Sequence, residues 1–78
     1  MMKETLQILI ESLVDDPKSV KITENVKENI VSYEVSVSER DIGKVIGKEG
    51  KMAKSIRTIM KSIATKNKAK VTIEFVGK

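Results

Sequence analysis

The chain has 78 residues with 15 basic and 11 acidic side chains, a net charge of +4, and neither Cys nor His. That length allows one hydrophobic core, so residues 1–78 are read as a single domain. The missing Cys and His exclude disulfides, the usual zinc sites and the commonest nucleophile–base pairs of enzymes, so neither catalysis nor a cofactor is expected. Small cores are often reinforced by a partner subunit, which makes pairing with another chain an expectation.

The charge is unevenly divided. Residues 1–39 carry four basic and eight acidic side chains, net −4, whereas residues 40–78 carry eleven basic and three acidic, net +8. A polyanion would therefore meet the second half. No run approaches the ~18 apolar residues of a membrane span and no signal-peptide pattern opens the chain, so a cytoplasmic location without membrane contact is expected.

Met2, Leu6, Leu9, Ile10, Leu13 and Val14 recur at helical spacing, and Pro17 closes the pattern, predicting an amphipathic helix over roughly 2–14. Val20 and Ile22 alternate with polar residues across Ser19 to Glu24, and Val31, Tyr33, Val35 and Val37 do the same further on. These are two half-buried strands, joined as an antiparallel hairpin by a turn of about five residues over Asn25 to Asn29. Ser38 is the candidate N-cap of a short helix, with Asp41 three residues on in a weaker form of the capping box. Ile42, Val45 and Ile46 supply its apolar side, and Gly47 is expected to stop it.

Past Gly50, a long helix is predicted from Met52, Ile56, Ile59, Met60 and Ile63, ending near Asn67, which tolerates left-handed backbone. Val71, Ile73 and Phe75 alternate in a last strand. The order α-β-β-α-α-β gives an α+β fold with a three-stranded mixed sheet, covered on one face by three helices.

The informative segment is Gly43-Lys44-Val45-Ile46-Gly47-Lys48-Glu49-Gly50-Lys51. Glycine leaves no side chain between backbone and ligand, and Gly50 precedes a helix start whose unpaired N–H groups favour an anion. A Walker A loop fails on spacing: only three residues separate Gly43 from Gly47-Lys48, and Glu49 stands where Ser or Thr is needed. A dinucleotide fingerprint fails because there is no G-x-G-x-x-G and the preceding element is a helix.

Val45-Ile46-Gly47-Lys48-Glu49-Gly50, with Ile56 six residues beyond, resembles the core signature of KH domains, and the element order resembles their type II arrangement over essentially the whole chain. The run from Ile42 to Lys51 with Ala53-Lys54-Ser55-Ile56-Arg57 is similar to the KhpA family of small bacterial RNA-binding proteins. Ribosome-binding factor A shares the general fold but carries an Ala-x-Gly kink where this chain has G-x-x-G.

The resemblance implies a post-transcriptional regulator or RNA chaperone that binds single-stranded RNA and pairs with itself or with a larger KH protein of the Jag type. KH domains clamp about four nucleotides with the G-x-x-G loop. Gly47 and Gly50 are then expected to make close backbone contact, and Lys48 and Lys51 to attract phosphate. Lys44, Lys54 and Arg57 would supply the flanking field, while Glu49 opposes it. Tyr33 and Phe75, the only aromatics, lie on apolar strand faces, so bases are expected to rest on aliphatic groups such as Ile42, Val45 and Ile46. A protein-interaction adapter of the same fold and a single-stranded DNA binder are the alternative readings.

Overall fold

Leu6 and Ile10 stand one turn apart on the helix α1, Met2–Leu13, and both are buried. Full burial of such a side chain contributes about 1.5–3 kcal/mol, which docks the amphipathic face of α1 onto the sheet. The computed structural model describes residues 2–77, apart from the side chains of Lys48 and Glu49. After α1 the chain turns through a single 3-10 turn, Pro17–Ser19, with proline at its start, where a backbone N–H is dispensable.

Strands β1, Lys21–Lys27, and β2, Ile30–Val37, pair antiparallel from Lys21 opposite Ser36 to Lys27 opposite Ile30. Two residues, Glu28 and Asn29, join them in place of the five-residue turn expected from sequence. The tight reversal is possible because Glu28 adopts φ 57°, a left-handed conformation that a glutamate gives little sign of in sequence. The strand thereby extends to Lys27, and Asn25 becomes a paired residue opposite Ser32.

Ser38 caps α2, Glu39–Lys66, as expected: its side chain accepts the Asp41 N–H. Helical structure runs unbroken past Gly47, which does not stop the helix. The two expected helices lie end to end as arms over 39–49 and 51–66. Gly50 marks their junction with φ 69°, outside right-handed helical geometry. In the second arm Ala53, Ile56, Met60 and Ala64 are buried, while Ile59, expected on the same side, is exposed.

The end of α2 also differs from expectation by one residue. Asn67 has φ −98°, and the left-handed residue is Lys68, φ 56°. The Ala69 N–H reaches the Ala64 carbonyl at 2.8 Å and the Lys68 N–H reaches that of Thr65 at 3.0 Å, the paired closure of a Schellman end.

The last strand, β3, Lys70–Gly77, runs parallel to β2 from Ile30 opposite Lys70 to Val37 opposite Gly77. The sheet order is β1-β2-β3, mixed as expected, because α2 carries the chain back before β3 begins. Val31, Tyr33, Val35, Val37, Val71 and Ile73 face the helices and are buried, joining Leu6, Ile10, Val45, Ile56 and Met60 in one core. Ser32, Glu34, Thr72 and Glu74 fall on the opposite face, where the Thr72 hydroxyl meets that of Ser32 at 3.0 Å. The helices therefore cover one face only.

Candidate nucleic-acid interface

Gly43 and Gly47 are four residues apart, and so share one face of the first arm of α2. A β-carbon built on Gly43, Gly47 or Gly50 would meet nothing within 4 Å. Glycine at Gly43 and Gly47 is therefore not demanded by crowding. It leaves a bare strip of helix backbone over a cavity of about 400 Å³ lined by Gly43, Lys44, Gly47, Lys51 and Met52. Gly50, by contrast, is required by its backbone angle. Beyond it the second arm begins at Lys51.

The aliphatic side chains around the strip divide. Val45 is completely buried, so it packs the core and offers no surface to a base. Ile42 is half-buried against that core, and a β-carbon on Gly77 would come within 2.7 Å of its Cγ2, so Ile42 holds the end of β3 against α2. Only Ile46 of the three is exposed, at 55%.

The cations divide as well. Lys44 pairs with Asp15 at 2.9 Å, so part of its charge is offset within the domain. Lys51 and Lys54 are exposed. The Arg57 Nε–H donates to the carbonyl of Ile73 at 3.2 Å, and the guanidinium lies 5.5 Å from the centroid of the Phe75 ring. Arg57 therefore ties the second arm to β3 in addition to bringing charge. The side chains of Lys48 and Glu49 lie outside the described residues.

Asp41, noticed in the sequence only as part of a cap, is a fully buried carboxylate. It accepts the backbone N–H groups of Asp15 and Asp16, each at 3.0 Å, and the Ser38 hydroxyl at 3.0 Å. The Asp15 N–H holds its pKa below the ordinary value against the opposing effect of burial, helped by the Asp16 N–H, the Ser38 hydroxyl and the Lys44 charge. This clasp fixes the first arm against the segment leaving α1, and so positions the glycine strip. Tyr33, buried in the sheet, donates to Glu24 at 2.7 Å; burial first, then that carboxylate, raises its pKa.

A second cavity, of about 320 Å³, runs between the second arm and β3, lined by Arg57, Lys61, Val71, Thr72, Ile73 and Glu74. Lys61 and the β3 residues were not singled out in sequence. At 100° per residue Lys51, Lys54, Arg57 and Lys61 fall within about a third of the helix circumference, the signal by which Lys61 could have been found. Among the described residues no cluster of His, Cys, Asp or Glu could hold a metal ion, and no helix is long and apolar enough to cross a membrane.

Comparison with known proteins agrees with this architecture. The family model described as KhpA/KhpB, KH domain, matches residues 3–75. The RNA-binding protein KhpA of Clostridium perfringens is 45% identical over 75 residues, covering 96% of this chain and all of the relative. That of Chlamydia pneumoniae is 45% identical over 75 residues, covering 96% of each chain. The Listeria monocytogenes protein of the same name is 39% identical over 75 residues, covering 96% of this chain and 99% of its own.

Proposed function

The chain belongs to the KhpA/KhpB family of KH domains, and from that membership we propose that it is an RNA-binding protein that clamps about four nucleotides of single-stranded RNA at the glycine strip. The carrying observation is the open backbone at Gly43 and Gly47 beside the start of the second arm, where Gly50 turns the chain. A sugar-phosphate backbone can approach such a strip closely, and Lys51 and Lys54 add attraction. By charge alone, Lys48 adds to that attraction in this reading and Glu49 opposes it.

Bases then lie towards Ile46 and the groove between the second arm and β3, where Arg57 is already anchored. With no exposed aromatic platform, binding is weak, tolerant of sequence and sensitive to salt. The relatives named RNA-binding proteins support RNA over DNA as the ligand. A role as a cytoplasmic post-transcriptional regulator or RNA chaperone belongs to the same proposal and rests on the family membership. Pairing with a second copy, or with a larger KH protein of the Jag type, would raise affinity by joining two weak sites.

The test is Gly47→Asp, which has space for its side chain and sets a carboxylate at the proposed phosphate position. A folded Gly47→Asp protein should lose at least tenfold in affinity for a short single-stranded RNA. Unchanged affinity would remove the strip from the binding site. Competition with single-stranded DNA of the same sequence, and the mass of the complex with RNA, separate the remaining alternatives.

A further inference from the structure

Lys61 lines two cavities. One is the groove beside Arg57; the other, of about 370 Å³, continues towards the end of α2 and is lined by Lys61, Ala64, Thr65, Ala69, Lys70, Val71 and Thr72. Lys61, Val71 and Thr72 are common to both, so the groove between the second arm and β3 extends well past Arg57. Its floor is apolar, from Ala64, Ala69 and Val71, and Lys61 and Lys70 stand exposed on its walls. Lys66 and Lys68 follow at the helix end. Among the described residues none of these four lysines has a carboxylate within ion-pair distance, unlike Lys44.

We propose that this continuation is a second RNA-binding segment, in which Lys61 and Lys70 hold the phosphates of nucleotides beyond the four at the glycine strip. The proposal rests on the RNA-binding reading above. From Arg57 to Thr65 the helix rises about 12 Å, room for roughly two to three further nucleotides. Cations at a helix C-terminus also complement its dipole, which accounts for Lys66. That effect does not account for Lys70, which lies on β3 across the groove from Lys61. Glu74 lines only the nearer cavity, so the far one is lined by cations and uncharged residues alone.

The track predicts a dependence on RNA length that a four-nucleotide site lacks. Affinity for a four-nucleotide and a ten-nucleotide single-stranded RNA is measured across a salt series, for the unaltered chain and for Lys61→Gln with Lys70→Gln. For single strands each phosphate contact adds about 0.7 to the slope of log affinity against log salt. The double variant should lower the slope by about 1.4 on the ten-nucleotide RNA and by less than half of that on the four-nucleotide RNA, because Lys61 also lines the nearer groove whereas Lys70 lines only the far one. An unchanged slope on the longer RNA, or equal losses on both, would overturn the second segment. Gly47→Asp, run alongside, should weaken both lengths. If it weakens neither, the clamp reading fails, whatever the lysine variant does.

Discussion

Asp41 accepts the backbone N–H of Asp15 at 3.0 Å across 26 residues of sequence, joining the end of α1 to the first turn of α2. A buried carboxylate is tolerable here because backbone donors, the Ser38 hydroxyl and the helix N-terminus all favour its ionised form. Its folded pKa lies below its unfolded one, so its contribution to stability is complete above the ordinary value of 3.8 and is lost as pH falls through the lowered value. Asp41→Asn should lower the urea midpoint at neutral pH, because an amide has one acceptor oxygen for two N–H groups. The gap from the unaltered chain should narrow as pH falls below about 4. A gap constant from pH 7 to the acid limb would contradict the assignment.

Gly47 and Gly50 should respond oppositely to alanine. Gly47 is helical with open space around it, so Gly47→Ala should stabilise the domain by about 1 kcal/mol while weakening RNA binding, as a methyl group covers the strip. Gly50→Ala should destabilise by about 1–2 kcal/mol, since φ 69° disfavours any β-carbon. Thermal melting alongside RNA titration reads both effects. Equal stability changes at the two positions would refute the placement of the junction.

Two residues pay a conformational cost that glycine would relieve. Lys68 and Glu28 hold φ 56° and 57°. Lys68→Gly should stabilise by about 1 kcal/mol, which is roughly 4–8 °C in Tm for a domain of this size. Glu28→Gly should act in the same direction and by less, because glycine is poorly placed beside a strand.

Arg57 distinguishes anchoring from simple charge. Arg57→Lys keeps the cation but loses the Nε–H bond to Ile73 and the placement over Phe75. It should cost about 1 kcal/mol in stability and increase amide exchange along β3. If melting and exchange are unaltered, Arg57 acts only through its charge.

The element order, the cap at Ser38, the apolar faces and the glycine segment were all legible in the chain, because spacing and backbone preference are local properties. Val35, Leu6 and Met60 are buried as their periodicity required. The start of the second arm past Gly50 was legible, but the continuation of the first arm beyond Gly47 was not, since both glycines permit a break locally. Ala53, Ile56 and Met60 join the core from the second arm, and that packing is not a local property of the glycine segment. The turn at Glu28 and the helix end at Lys68 were hidden for the same reason: strand pairing and the closing bonds of α2 override the usual backbone preference of a charged residue.

At the candidate interface, the sequence pointed to the glycines and the basic half of the chain, and the tertiary structure gives those residues different surroundings. Val45 went to the core, Lys44 to Asp15 and Arg57 to Ile73, each through a neighbour distant in sequence. Residue type determines what a side chain can bind. Which partner reaches it first is decided by the fold.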